Sequence, residues 1–168
     1  GPEMRSTGEV MGIDTNFPSA FAKSQAAAGS SLPLEGTVFI SVADRDKPQI
    51  VLPVRRLAQL GYRILATQGT SKMLRRHGIE SQTVAKYSQA RGERSIVEMI
   101  TSGEVDVVVN TPSGADARSD GYEIRAATTA ADKPIFTTVA QLSAAIGSFE
   151  IIREKKFSVK SLQERKLR

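Results

Sequence analysis

The apolar stretch Tyr62-Arg63-Ile64-Leu65-Ala66 is predicted to be a strand, and it leads directly into the polar loop Thr67-Gln68-Gly69-Thr70. The same pattern recurs where Val105-Asp106-Val107-Val108-Val109 leads into Asn110-Thr111-Pro112-Ser113-Gly114. Loops that follow parallel strands meet at the carboxyl edge of an open sheet, where ligands bind. Both loops are rich in hydroxyl, amide and glycine groups and contain no carboxylate. This chemistry predicts a phosphate site at that edge.

From Thr37 onward, predicted strands and helices alternate along the chain around these two loops. Alternation at this spacing predicts an α/β fold with a parallel sheet and right-handed crossovers. Gly78 and Gly103 are predicted to end helices, and Ser158 to begin one. Strands are predicted over 37–42, 62–66, 81–85, 105–109 and 134–138, and helices over 46–60, 70–77, 94–101, 122–131, 140–147 and 158–166.

Residues 1–36 differ in composition from the rest of the chain. They are rich in Ser, Ala, Gly and Pro, and their only cations are Arg5 and Lys23. A helix is predicted over 16–28 and a linker over 30–36. We interpret 1–36 as the end of a preceding domain plus a linker, and 37–168 as the α/β domain.

Composition excludes several classes of site. The 168 residues include no Cys, so a disulfide framework, a Cys-based zinc site and a thiol nucleophile are excluded. The single His, His77, excludes a His-rich metal site, argues against a Ser-His-Asp triad and is predicted to favour a helix C-terminus. No apolar run has the length of a membrane span, and no signal peptide is visible. The expectation is a cytoplasmic protein with no membrane partner.

Positive charge is concentrated at the end of the chain. The formal net charge is +5, and residues 150–168 carry seven Lys or Arg against three Glu, which is +4. A basic tail is compatible with nucleic-acid binding or with a solvated helix that faces an acidic partner. We favour the helix, because aromatic residues are few and no nucleic-acid motif is present.

Charged residues near the predicted edge complete the candidate site. Lys47 follows the first strand and Lys86 the third, so both can approach a phosphate bound at the edge. Asp44 and Asp46 offer either a metal site or, through Asp46, a helix N-cap; we favour the cap. Gly69-Thr70-Ser71-Lys72 resembles the end of a P-loop, but the upstream glycine is missing and Lys does not follow Gly, so ATP binding here is rejected.

Several stretches resemble the methylglyoxal-synthase-like domains, and most closely the allosteric domain that ends the large subunit of carbamoyl phosphate synthases. The opening Ser6-Thr7-Gly8-Glu9-Val10-Met11-Gly12 resembles the last stretch of the ATP-grasp half that makes carbamoyl phosphate in that subunit. The resemblance covers nearly the whole chain. It rests further on Ser41-Val42 through Asp46-Lys47, Leu65-Ala66-Thr67-Gln68-Gly69-Thr70, Gly103-Glu104, Asn110-Thr111 with Ser113-Gly114, and Gly121-Tyr122-Glu123-Ile124-Arg125.

The resemblance implies a three-layer Rossmann-like domain with about five parallel strands in the order 3-2-1-4-5 and a nucleoside monophosphate site at the strand ends. In bacterial members UMP inhibits, whereas IMP and ornithine activate. Pro112 stands where many bacterial members have a second Thr, so one hydroxyl donor is lost and the choice between UMP and IMP stays open. Carried over by position, the effector contacts are Lys47, Thr67, Gly69, Thr70, Lys86, Asn110, Thr111, Ser113 and Gly114.

The resemblance also implies a larger enzyme around this domain. Its partners would be the catalytic halves of the large subunit, the small glutaminase subunit and a second copy through this domain. ATP and Mg²⁺ or Mn²⁺ would belong to the parent enzyme, which serves arginine and pyrimidine biosynthesis, and no cofactor to this domain. Thr137, at the end of the fifth strand, would contact ornithine between two domains. The alternative is that Thr137 and Thr138 only cap the strand end.

The alternative interpretation is that the chain is an enzyme of the methylglyoxal synthase type. That family needs a His after its first strand, an Asp near the second loop and another His downstream. Ala43, Thr111 and Arg118 stand at about those positions, and Glu93 is the one carboxylate near a further catalytic position. The side chains that general acid–base catalysis needs are missing at these positions, so we predict a binding domain without catalytic residues.

Overall fold

The computed structural model describes residues 31–85, 95–111 and 116–166; of 116–120, 157, 158, 160, 161 and 164–166 it describes the backbone alone. Pro33–Leu142 forms one compact unit, and the helical residues after Leu142 belong to a second. Across the described ranges, no helix is long and apolar enough to cross a membrane.

Five parallel strands form the sheet, in the order β3-β2-β1-β4-β5. The central strand, β1, is buried on both faces, which is why it reads as an unbroken apolar run. The predicted architecture and strand order are confirmed. The strands are β1 (Thr37–Ser41), β2 (Arg63–Ala66), β3 (Gln82–Thr83), β4 (Val107–Asn110) and β5 (Ile135–Phe136).

Helices connect these strands. Ser95 and Glu98 form a capping box at the start of the third helix, which therefore begins two residues later than predicted. Gly78 and Gly103, with φ of +74° and +84°, follow helix ends as predicted. The helices are α1 (Lys47–Gln59), α2 (Gln68–Arg76), α3 (Ile96–Thr101), α4 (Asp116–Ala130) and α5 (Val139–Lys166).

One hydrophobic cluster of Pro33–Leu142 packs the central strands against α3 and α4. Phe39, Leu65 and Val108 contribute from three neighbouring strands, and Ile100 and Ile124 contribute from the two helices. All five side chains are buried, and burying each is worth about 1.5–3 kcal/mol. This packing fixes the sheet that carries the loops.

The predicted start of α4 is wrong. The helix begins at Asp116, six residues before the predicted Tyr122. Glycine is a poor helix former, so Gly121 gives no sign in the sequence that the helix runs through it. In the structure Gly121 is inside the helix and buried, and its missing Cβ leaves room for neighbouring side chains.

The prediction of two closing helices is also wrong. One helix, α5, runs from Val139 to Lys166 through both Gly147 and Ser158. A single interior glycine costs only about 1 kcal/mol relative to alanine, so Gly147 does not end the helix. Ser158 lies inside the helix and is not an N-cap.

The remaining bounds lie within two residues of those predicted, except that β3 and β5 have two residues each where five were predicted. The predicted helix over 16–28 and the start of the linker lie outside the described residues.

Gly36 holds the start of β1 against Asp106. Asp106 Oδ2 accepts a hydrogen bond from the Thr37 amide at 2.8 Å, and its Oδ1 lies 3.7 Å from Lys133 Nζ. Gly36 has φ of +146°, and a Cβ there would lie 2.3 Å from Asp106 Oδ2. Glycine is therefore required at position 36 for two reasons, the positive φ angle and the close approach of Asp106.

Gly36→Ala should lower the free energy of unfolding by about 2–3 kcal/mol, because it adds a steric clash to backbone strain. Gly61→Ala is the matched control. Its φ is +97° and its Cβ would meet nothing within 4 Å among the residues that the structure describes, so it carries the strain without the clash. Urea denaturation measures both variants. An equal loss in the two would show that Asp106 moves aside and that the close approach has no energetic weight.

Candidate phosphate-binding site

The carboxyl ends of the three central strands lie side by side. Ile40 is in register with Ala66, and Ser41 is in register with Asn110. The loops after these strands therefore start at one edge of the sheet, as the alternation of strands and loops predicts. Of the predicted effector contacts, the structure describes Lys47, Thr67, Gly69, Thr70, Asn110 and Thr111, whereas Lys86, Ser113 and Gly114 lie outside the described residues.

The N-terminus of α2 opens onto this edge. Thr67 occupies the N-cap position, but its side chain accepts no hydrogen bond from the first-turn amides. Its hydroxyl instead donates to Thr70 Oγ1 at 3.4 Å, and both side chains are buried. A helix start without a side-chain cap, with hydroxyl groups beside it, is suited to an anion.

Lys47 brings positive charge to the same helix start. Its side chain is 25% exposed, and its Nζ lies 2.6 Å from Asp44 Oδ1. A Cβ on Gly69, in the first turn of α2, would lie 3.3 Å from Lys47 Nζ. The missing side chain of Gly69 thus lets the ammonium lie close to the helix start. A cation beside the positive end of a helix dipole is unfavourable by itself, whereas an anion between the two is attracted by both.

Thr111 links the ends of β4 and β1. Its buried Oγ1 accepts a hydrogen bond from the Ala43 amide at 2.8 Å, and its own amide donates to Ser41 O at 3.1 Å. Since a hydroxyl carries one donor, the Thr111 hydroxyl can still donate its hydrogen while it accepts from Ala43. The arrangement suits a ligand oxygen at this place.

Asn110 carries a buried donor. The residue is 6% exposed, and its Nδ2 has no hydrogen-bond partner among the residues that the structure describes. Leaving such a donor unpaired costs about 1–3 kcal/mol. A buried donor without a partner calls for an explanation. A ligand oxygen that accepts the hydrogen bond of Asn110 Nδ2 would remove this cost.

The acidic residues after β1 form ion pairs. Asp44 pairs with Lys47, and Asp46 lies 3.7 Å from Arg45 Nε. Asp46 occupies the N-cap position of α1 as predicted, but its side chain makes no capping hydrogen bond. Pro48 is the second residue of α1 and has no N–H, so one of the two donors that a cap serves is missing. Within the described part of the chain, no group of three or more His, Cys, Asp or Glu could hold a metal ion.

A hydroxyl cluster that the sequence analysis missed lies on the other side of α2. Ser71 Oγ is 2.7 Å from Ser81 Oγ and accepts a hydrogen bond from Thr83 Oγ1 at 3.0 Å. Ser71 is buried, so it joins α2 to β3 and does not point to the phosphate loop. In the sequence, only the closeness of Ser81 and Thr83 to each other could have indicated this cluster.

Thr137 and Thr138 lie at the start of α5. Thr138 Oγ1 accepts a hydrogen bond from the Gln141 amide at 3.1 Å, as an N-cap does. Gln141 Oε1 accepts from both the amide and the hydroxyl of Thr137, at 3.1 Å and 3.3 Å. Thr137 follows β5 at the same sheet edge, and its hydroxyl takes part in this local capping network.

The sequence matches the MGS-like domain family over residues 49–137, and the chain belongs to that family. Over 98% of its length it is 65% identical to a carbamoyl phosphate synthase large chain of Clavibacter sepedonicus. It is 62% identical to the large chain of Beutenbergia cavernae and 56% identical to that of Kineococcus radiotolerans, again over 98% of its length. The chain spans about 15% of the length of these relatives.

Proposed function

We propose that this chain is the allosteric domain of a carbamoyl phosphate synthase large chain, and that it binds a nucleoside monophosphate through its phosphate. One observation carries the proposal: the ammonium of Lys47 approaches the uncapped start of α2 at Gly69. The high identity to large chains of that enzyme supports the choice of parent. In this proposal UMP or IMP is the ligand, and the parent enzyme is an ATP-dependent ligase.

The phosphate would sit between Lys47 and the first turn of α2. Lys47 supplies the countercharge, and the hydroxyls of Thr67 and Thr70 border the same helix start. Asp44 is 94% exposed, so its carboxylate can turn to solvent when a phosphate replaces it beside Lys47. A charge-assisted hydrogen bond of this kind contributes about 1.5–3 kcal/mol.

Lys47→Ala should weaken UMP and IMP binding about tenfold or more, because it removes the ammonium from the phosphate. Lys133→Ala is the charge-matched control. Lys133 pairs with Asp106, which bonds the first residue of β1 and so lies at the opposite edge of the sheet. Isothermal titration calorimetry on both variants checks the prediction. Unchanged affinity in Lys47→Ala, or an equal loss in both variants, would remove Lys47 from the site.

The position of the single histidine favours binding over catalysis. His77 is the C-cap of α2, nine residues of helix away from the phosphate loop. At a rise of about 1.5 Å per residue, this places it roughly 13 Å from the helix start. Ala43 and Thr111, at two of the positions where methylglyoxal synthases carry catalytic groups, share a hydrogen bond with each other.

We therefore expect no conversion of dihydroxyacetone phosphate to methylglyoxal by this chain. A colorimetric methylglyoxal assay at high protein concentration should stay at the uncatalysed rate. The Glu93→Gln variant is the control, since Glu93 is the one carboxylate near a catalytic position of that family. Turnover above background that disappears in Glu93→Gln would establish that the chain is an enzyme of the methylglyoxal synthase type.

A further inference from the structure

Asp44 pairs with the same ammonium that the proposed phosphate site uses. Lys47 Nζ lies 2.6 Å from Asp44 Oδ1, a contact as short as a charge-assisted hydrogen bond. Asp44 begins the single turn Asp44–Asp46 after β1, and Lys47 is the first residue of α1. The Lys47 ammonium also approaches Gly69 in the first turn of α2. A carboxylate of the chain itself is therefore bound to the cation at this helix start.

The two partners of this ion pair differ in their exposure to solvent. The Lys47 side chain is 25% exposed, whereas the Asp44 side chain is 94% exposed. An exposed carboxylate returns to water at little cost, so Asp44 can leave the pair while Lys47 stays beside α2. Ion pairs with an exposed partner are weak, and this one favours the paired state of Lys47 by about fivefold at most.

A phosphate and the Asp44 carboxylate would compete for Lys47. An ammonium has three donors, so hydrogen bonding alone would let it serve two acceptors. Two anions that both accept from one nitrogen, however, lie within about 6 Å of each other and repel. A phosphate that binds Lys47 closely therefore displaces the carboxylate into solvent.

On the basis of the proposed phosphate site, we propose that Asp44 is a built-in competitor of the effector's phosphate and weakens effector binding. Only the fraction of domains in which Lys47 has left Asp44 is ready to bind, and the apparent affinity falls in proportion to that fraction. Asp44 thereby raises the effector concentration at which the domain responds. The competition acts on the phosphate alone, so it affects every phosphate ligand of this site equally.

The experiment is a set of calorimetric titrations of the 168-residue chain with UMP and with ribose 5-phosphate. Asp44→Asn should bind both ligands about two- to fivefold more tightly than the wild type, because the neutral amide no longer holds the ammonium. Glu80→Gln is the charge-matched control. Glu80 is exposed and precedes β3, so it lies at the opposite, amino edge of the parallel sheet. This control should keep both affinities within about 1.5-fold.

A double-mutant cycle separates competition from general repulsion. In a Lys47→Ala background there is no ammonium to compete for, so the further change Asp44→Asn should leave ribose 5-phosphate and UMP affinity within about 1.5-fold. Salt gives a second readout. The wild type exchanges one ion pair for another on binding, whereas Asp44→Asn forms a new one. The affinity of Asp44→Asn should therefore fall more steeply as the NaCl concentration rises.

Four results would overturn the inference. Equal affinities of the wild type and Asp44→Asn would show that the ion pair does not oppose binding, while the proposed function would stand. The same gain with and without Lys47 would show that Asp44 repels the ligand from a distance. An equal gain in Glu80→Gln would make net charge the cause. If the wild type binds neither UMP nor ribose 5-phosphate, the proposed function itself fails, and this inference fails with it.

Discussion

Asn110→Asp is expected to weaken UMP and IMP binding by at least about a hundredfold, which is about 2.7 kcal/mol. Asn110 is buried at the end of β4, and its Nδ2 has no partner among the described residues. The variant replaces this donor with a carboxylate, so the ligand loses a hydrogen bond. It also places a negative charge where a nucleotide oxygen would lie, and charges repel strongly in a buried site.

Gln82→Glu is the matched control for this change. It replaces an amide by an acid on β3, where Gln82 Oε1 accepts a hydrogen bond from Arg63. The carboxylate can keep that contact, so the control adds the same charge at another place on the sheet. Calorimetric titration and thermal denaturation of both variants separate binding from folding. If Asn110→Asp folds and binds UMP within about threefold of the wild type, Asn110 does not touch the ligand.

Thr137→Val, built into the full-length large chain that we propose as the parent, is expected to blunt ornithine activation, because one hydrogen bond is worth about 0.5–1.5 kcal/mol. We propose that the Thr137 hydroxyl contacts an activator held between this domain and a catalytic half. The variant keeps the shape of the side chain and removes its hydroxyl, so the direct contact is lost. Nucleotide affinity should stay within about threefold, because the phosphate loop follows other strands. Steady-state assays with and without ornithine measure the effect.

The local role of Thr137 calls for a control. Its hydroxyl donates to Gln141 Oε1 as part of the cap of α5, and such a cap is worth about 0.5–2 kcal/mol. Gln141→Ala removes that capping acceptor and leaves the Thr137 hydroxyl in place. Ornithine should therefore still activate Gln141→Ala. Full activation of Thr137→Val, or equal losses in the two variants, would make Thr137 a capping residue only.

Local patterns in the sequence were enough to predict the sheet and its strand order. β1, β2 and β4 are short, buried and parallel, and such strands read as continuous apolar runs. The predicted helix bounds were wrong where a glycine could either end a helix or lie inside one. Gly78 ends α2 with a positive φ, whereas Gly121 and Gly147 lie inside helices. Only the surrounding contacts distinguish these cases, and a single sequence does not contain them.

The loops of the site and the presence of Lys47 beside them were predictable, but the contacts that Lys47 makes were not. Parallel strand order alone placed Thr67 and Asn110 at one edge of the sheet. The approach of Lys47 to Gly69, and its ion pair with Asp44, depend on the turn between β1 and α1. Lys86, Ser113 and Gly114 stay predictions.

Nucleotide binding at the start of α2 can be tested with a crystal structure of the chain with UMP and a second with IMP. We expect phosphate density against the first turn of α2, within hydrogen-bond distance of Lys47 Nζ and of the Thr67 or Thr70 hydroxyl. We also expect a base that extends over the end of β1 toward Asn110. A nucleotide bound elsewhere, or an edge that stays empty at millimolar nucleotide, would show that this edge is not the nucleotide site.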